Sequence, residues 1–300
     1  MRIAIVLNRE SGTLRCVDVE EYCSFLKETC AMHGHEAKPV PVPGKQLAST
    51  LEKTFSDEGN DAIFAAGGDG TISAAAHLAW KTQKPLGVIP AGTMNLFARV
   101  LGIPLDIREA ARVLAAGTPQ KVDIATANER PFLLQYTVGF HPQMVRQRDK
   151  AEFSSRLGKI RATVFAALDA IRRPPVFPAE ITADGKTGRM TLSSIAVSNN
   201  PYGDLPFSDD PTGGRLAIYL AEPADAATNA KMLADLTFGT WRDNPDIREM
   251  QAGEVTLRFP ARHRRAKAAI DGELVELADT VEFRIHPGEL PVIRPNSTGE

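Results

Sequence analysis

Two short stretches carry the residue types that handle phosphate groups: Gly67-Gly68-Asp69-Gly70-Thr71 and Ala91-Gly92-Thr93-Met94-Asn95. Each follows an apolar run, DAIFAA in the first case and PLGVIP in the second. Glycines let a backbone approach a phosphate closely, and a helix that begins just after the turn offers unpaired N–H groups and a positive dipole end. Thr71 and Thr93 add hydroxyl donors. Neither stretch fits the common fingerprints, because G-x-G-x-x-G needs a further glycine near Ser73 and the P-loop needs Gly-Lys-Ser/Thr. Asp69 is the anomaly. A bare carboxylate would repel phosphates unless it holds magnesium, directly or through water, or accepts a proton during phosphoryl transfer. The alternative is an Asx turn or helix N-cap.

The elements that must position these turns alternate along the first 120 residues. RIAIVL reads as a buried strand, Asn8 to Thr13 as a polar turn, and Val17 to His33 as an amphipathic helix with Val17, Tyr22, Phe25 and Leu26 facing the core. EAKPVPV is extended, QLASTLEKTF helical, DAIFAA a strand, ISAAAHLAW helical, PLGVIP a strand; a short helix over Asn95 to Leu101 and a further helix, IREAARVLAAG, follow. Strand, turn and helix repeated with short connections predict a parallel sheet covered on both faces. In such a sheet ligands bind at the carboxyl ends of the strands, where both glycine turns fall and where the Asn8 turn supplies a third wall.

After Gln120 the pattern changes to short β-rich segments separated by turn residues, the pattern of an antiparallel sandwich or barrel. Two helical segments interrupt it, SSRLGKIRATVFAALDAIRR and ATNAKMLADLTFG. The predicted division is 1–121 for the first domain, completed by 287–300, and 122–286 for the second.

Composition narrows the function classes. Hydrophobic residues are 43% and charged residues 24% of the 300, which are globular values. The 35 basic residues nearly balance the 37 acidic ones, for a net charge of −2, so the overall charge does not favour a nucleic-acid partner. Cys16, Cys23 and Cys30 recur every seven residues, on one helix face, and read as buried thiols of a reducing cytoplasm rather than as disulfides or metal ligands. The apolar run before Asn8 is too short for a signal peptide and no other run approaches a membrane span, so the expected location is cytoplasmic.

GGDGT at 67–71 resembles the signature of the diacylglycerol-kinase catalytic family, which includes bacterial lipid kinases and sphingosine kinases, and more distantly resembles NAD kinases. PAGTMNLFARVLGIP at 90–104 resembles that family's second motif and is the more specific of the two. VDIA at 122–125, VGF at 138–140 and IDGE at 270–273 follow in the family's order. The resemblance implies a Rossmann-like parallel α/β domain that binds nucleotide, then an antiparallel β-sandwich domain for the lipid substrate, with the active site in the cleft between them.

It also implies roles. Gly67, Gly68, Asp69, Gly70 and Thr71 match the ATP-binding signature, Gly92, Thr93 and Asn95 the second nucleotide motif, and Asn8 the first turn. Asp69 and Asp123 are implied in the magnesium network. Glu273 is implied as the general base for the acceptor hydroxyl, supported by Asp271, although Asp271-Gly272-Glu273 taken alone reads as a hairpin turn. The implied activity is an ATP- and magnesium-dependent lipid kinase at a membrane surface, with a homodimer allowed. An NAD-kinase-like enzyme with a soluble acceptor, and a nucleotide- or lipid-binding regulator with weak catalysis, are the alternatives.

Three departures stand out. Asn8-Arg9-Glu10-Ser11-Gly12 lacks the family's proline, Leu96 stands where an aspartate is usual, and Gly213-Gly214-Arg215-Leu216-Ala217 lacks the two acids associated with a structural magnesium, with Asp209 and Asp210 just upstream. The basic amphipathic stretch over 154–173 fits either a helix packed on its own domain or a contact with an anionic membrane. ARHRRAK at 261–267 reads as a solvated turn or an anionic-lipid contact.

Overall fold

The structure is a computed structural model describing residues 1–143, 174–205, 207–260 and 266–296, with Val145 and Arg172. Apart from Arg172, the basic stretch over 154–173 lies outside the described residues, as does 261–265 of ARHRRAK. The chain forms two compact units, Met1–Ile124 with Pro287–Glu300, and Ala125–His286.

The first unit runs β1 (Arg2–Asn8), a 3-10 turn (Leu14–Cys16), α1 (Val19–Met32), β2 (Glu36–Val42), α2 (Gly44–Ser56), β3 (Ala62–Gly67), α3 (Asp69–Thr82), β4 (Leu86–Pro90), α4 (Leu96–Val100) and α5 (Ile107–Ala115), then enters β5 (Thr118–Ala127). The strands pair in parallel in the order β2-β1-β3-β4, and Val292 of the closing strand pairs with Leu86 beyond β4. β1, β3 and β4 are nearly continuous apolar runs because both of their faces are covered. α1 packs on α5 and α2 on α3, giving two separate helix pairs. The buried Tyr22 hydroxyl donates to the Ile107 carbonyl at 2.8 Å, which fixes α1 against α5.

Caps set the helix starts. Asp18 accepts the N–H groups of Glu20 and Glu21 at the head of α1, and Asp106 those of Arg108 and Glu109 at α5. Tyr22 and Leu26 are buried as expected, whereas Val17 and Phe25 are half-buried. Phe25 lies beneath the Arg108 and Arg112 guanidinium groups, a cation–π stack that keeps it at the surface. The expectation of three buried thiols on one face is corrected. Only Cys30 is buried, and Cys16 is exposed because it belongs to the 3-10 turn rather than to α1.

The second unit contains β6 (Arg130–Phe132), β7 (Gln135–Gly139), β8 (Phe177–Ala183), β9 (Lys186–Leu192), β10 (Ser194–Asn199), β11 (Leu216–Ala221), α6 (Ala226–Phe238), β12 (Ile247–Ala252), β13 (Glu254–Arg258), β14 (Lys267–Ile270), β15 (Glu273–Glu276) and the part of β16 (Thr280–Arg294) up to His286, beyond which that strand belongs to the first unit. One antiparallel sheet has the order β12-β11-β10-β7-β14-β15. In the other, β16, β13, β8 and β9 pair antiparallel, and β5 pairs with β6. Alternate residues of both sheets point inward. Tyr136, Ile195, Val197 and Ile218 from the first meet Ile181, Val255, Leu257 and Phe283 from the second in one core. The Tyr136 and Phe283 rings pack edge to face with centroids 5.0 Å apart. This is a β-sandwich, and together with the parallel α/β sheet it matches the fold class expected from the sequence. Among the described residues, no helix is long and apolar enough to cross a membrane.

Candidate functional site

The strand order 2-1-3-4 reverses direction between β1 and β3, which opens a crevice at their carboxyl ends. Asn8 closes β1, Gly67 closes β3 and Pro90 closes β4, so three of the sequence-predicted segments stand at one end of the sheet. Hydrogen bonds join them. The Asn8 Nδ2 amide donates to the Thr71 hydroxyl at 3.2 Å, the Thr13 N–H to the Ala91 carbonyl at 3.0 Å, and the Ala91 N–H to the Gly67 carbonyl at 2.8 Å.

The two glycine turns pack backbone against backbone. A Cβ on Gly92 would lie 2.5 Å from the Gly68 Cα and 2.9 Å from Asn95 Oδ1, and a Cβ on Gly67 would lie 2.4 Å from that of Thr71. Side chains at these positions are therefore sterically excluded. Asn95, itself left-handed at φ 52°, latches the second turn by accepting the Gly92 N–H at 2.8 Å and donating to the Gly92 carbonyl at 3.1 Å. α3 starts at Asp69 without a capping side chain, unlike α1 and α5. Its first-turn amides are the kind of donor that binds an anion. Gly70 and Thr93 are exposed, while Thr71 is buried beneath the turn.

Asp69 has a structural task that its sequence position alone does not reveal. Its Oδ2 accepts the Asn95 N–H at 3.1 Å and its Oδ1 the Leu96 N–H at 2.7 Å. The carboxylate in the first turn of α3 thus caps the start of α4 and binds one glycine motif to the other. Two helix N-termini and two amides offset its charge, so an acid is tolerated here. Asp123 is placed differently. It is 2% exposed on β5 and its Oδ1 accepts the Gly288 N–H at 2.8 Å. Among the described residues no group of three or more His, Cys, Asp or Glu side chains is arranged to hold a metal ion, so Asp69 and Asp123 do not form part of such a cluster.

The remaining predicted residues lie in the second unit. Asp271 and Gly272, with φ of 47° and 84°, form the two-residue turn of the β14–β15 hairpin, in which Ile270 pairs with Glu273. Two successive left-handed residues make an Asp-Gly turn of the type favoured in tight hairpins. The Asp271 carboxylate accepts three consecutive amides, those of Leu133 at 2.9 Å, Leu134 at 2.9 Å and Gln135 at 3.1 Å. It locks the hairpin tip to the β6–β7 connection. Glu273, at the first position of β15, is exposed, and its Oε2 accepts from Arg130 Nη2 at 2.9 Å. Sequence reasoning passed over Arg130, since nothing local marks it and its partner lies 143 positions away.

Residues 2–127 match the diacylglycerol kinase catalytic domain, the stretch that holds the three joined loops. Over those residues the chain is similar to the diacylglycerol kinase catalytic domain family. An uncharacterised Synechocystis protein is 32% identical over 253 residues, which is 79% of this chain and 56% of that protein, so the chain spans little more than half its length. A diacylglycerol kinase of Staphylococcus aureus is 47% identical over 88 residues, 28% of each chain. A crystal structure of a diacylglycerol kinase from Bacillus anthracis shares the fold, with a TM-score of 0.71 at 18% identity, covering 99% of this chain and 97% of that one.

Within the diacylglycerol kinase frame the three departures have local explanations. Without the family's proline, the first turn is held by Asn8, whose Oδ1 accepts the Glu10 N–H at 3.1 Å and whose carbonyl accepts the Ser11 hydroxyl at 2.8 Å. Leu96 meets Asp69 through its backbone, a bond that does not depend on which side chain stands there. Asp209 packs its carboxylate onto Gly203, and Asp210 Oδ1 accepts the Thr212 N–H at 2.9 Å. Both acids upstream of the altered segment thus shape their own loop.

Proposed function

We propose that the chain is an ATP-dependent lipid kinase that moves the γ-phosphoryl group of ATP onto a hydroxyl of diacylglycerol or a related lipid. The observation that carries this reading is the Asp69 link, which joins two glycine motifs to each other at the carboxyl end of a parallel sheet. In this reading the amides at the head of α3, with Gly67, Gly68, Gly70 and Gly92, hold the phosphates, and Thr71, Thr93, Asn8 and Asn95 shape the walls.

The residues fit a magnesium ion in part. Magnesium keeps several waters and needs only one or two protein carboxylates beside the substrate phosphates. Asp69 is half-exposed, and each of its oxygens accepts one backbone N–H, which leaves lone pairs for water-mediated binding. Asp123 fits less well, being buried and bonded to Gly288. The ion, when bound, would supply positive charge to offset that of the nucleotide phosphates.

Glu273 acts as general base and accepts the acceptor's hydroxyl proton, so that the oxygen attacks the γ-phosphorus while the bond to ADP breaks. Asp271 positions it through the hairpin turn rather than by touching substrate. Catalysis rests on positioning and charge neutralisation. The second unit takes the lipid, and the enzyme works as a cytoplasmic protein bound peripherally at the membrane surface.

The test is radiolabelled ATP with a panel of lipids in mixed micelles, with and without magnesium, and with NAD in parallel. Label in a lipid is the expected result. Label in NAD with none in any lipid overturns the proposal.

A further inference from the structure

We infer that Arg130 is a positioning residue for Glu273, holding its Oε2 so that Oε1 is the oxygen that takes the acceptor's proton; this rests on the reading of Glu273 as general base.

The two residues are presented by matching devices. Arg130 is the first residue of β6 and Glu273 the first of β15. Each directly follows a two-residue turn in which both residues are left-handed. Asn128 and Glu129, with φ of 47° and 66°, separate the pair Ala127–Arg130, and Asp271 and Gly272 separate Ile270–Glu273. Three of those four turn residues are not glycine, so the turns need support from their surroundings.

That support is present at both. Asn128 donates its N–H to the Glu282 carbonyl at 2.9 Å, accepts the Glu282 N–H at 2.8 Å and donates Nδ2 to the Thr280 carbonyl at 3.1 Å. Asp271 donates its N–H to the Gln135 carbonyl at 2.9 Å, besides accepting three amides. These three amides begin at Leu133, immediately after β6, so one carboxylate ties Arg130's strand to Glu273's hairpin.

The fold thus fixes the backbone under both ends of the Arg130–Glu273 pair. The pair does little to hold the fold in return, because its side chains are 49% and 62% exposed and an ion pair in water adds little stability. Its effect falls on the carboxylate. A glutamate side chain has several rotamers open to it, and one guanidinium bond at 2.9 Å selects among them. The bond uses Oε2 alone, and Oε1 has no partner among the described residues.

The test is steady-state kinetics of the full chain with the lipid acceptor, for Arg130→Ala, Arg130→Lys, Glu273→Gln and the double variant Arg130→Ala/Glu273→Gln, with a thermal melt of each. Expected for Arg130→Ala is a fall in kcat of about fivefold to tenfold, with the KM for ATP and the melting temperature unchanged. Arg130→Lys recovers part of the rate, and in the Glu273→Gln background the loss of Arg130 costs nothing further. Full kcat in Arg130→Ala, a rise in the lipid KM alone, or a loss that multiplies with Glu273→Gln overturns the inference. The two failures separate cleanly. Wild-type turnover by Glu273→Gln removes the general-base reading, whereas a crippled Glu273→Gln beside a fully active Arg130→Ala removes only the role of Arg130.

Discussion

Asp69 and Asn95 stand 26 residues apart, yet a carboxylate oxygen of the first accepts the backbone N–H of the second at 3.1 Å, and its other oxygen takes the neighbouring Leu96 amide. The side chain that seemed out of place between glycines is the bond that makes two turns one. Asp69→Ala is expected to lower stability by about 1–2 kcal/mol, the cost of losing a helix cap, and to abolish phosphotransfer. Asp69→Asn keeps one acceptor oxygen and falls between the two. Urea unfolding alongside the labelled-ATP assay checks both effects. Unchanged stability in Asp69→Ala would show that the link is not holding the motifs.

Gly92→Ala places a methyl group 2.5 Å from the Gly68 Cα, a separation that real side chains do not tolerate. The two turns must move apart, and ATP affinity is expected to fall at least about tenfold, in line with a backbone shift at a phosphate site. Gly188→Ala is the control, since a methyl there meets nothing within 4 Å. Calorimetric titration with ATP distinguishes them, and equal affinities in the two variants would refute the close-approach argument.

Asp271→Ala removes the acceptor of three consecutive amides and is expected to destabilise the second unit by about 2–4 kcal/mol. Asp271→Asn keeps Oδ1, which serves Leu134 and Gln135, and is expected to cost less than half as much. Activity should follow the same order, because displacing the turn displaces Glu273. A denaturation series on the three proteins decides this, with equal stability of Asp271→Ala and wild type as the contrary result.

Burial pushes the Cys30 thiol up to about 11 from its ordinary 9.0. The unfolded chain therefore loses this proton first as pH rises. The contribution is fully present below pH 9.0 and is lost progressively as the pH climbs toward about 11. Cys30→Ala should flatten that alkaline loss of stability, as read by urea midpoints between neutral and alkaline pH. A thiol reagent should modify the exposed Cys16 at once in the folded protein and reach Cys30 only after unfolding.

How much of this was legible beforehand depended on the range of the interaction concerned. The continuous apolar runs of β1, β3 and β4 announce buried parallel strands, because a strand covered on both faces has no polar side to show. The Asp-Gly at 271–272 announces a tight hairpin, because only residues tolerant of positive φ can make it. Cys16 misled for the same reason in reverse: a seven-residue spacing means one face only while the helix continues, and α1 begins after it.

Sequence alone determined the strand–turn–helix alternation, the change to short β segments near residue 120 and the glycine positions, since each is a property of neighbouring residues and their allowed backbone angles. The partners were decided only by the tertiary structure. That Asp69 caps α4, that Asp123 is buried against Gly288 and that Arg130 meets Glu273 all depend on segments far apart in the chain. A carboxylate's task is set by whichever donors folding brings within 3 Å or so of it, and no spacing along one strand encodes that.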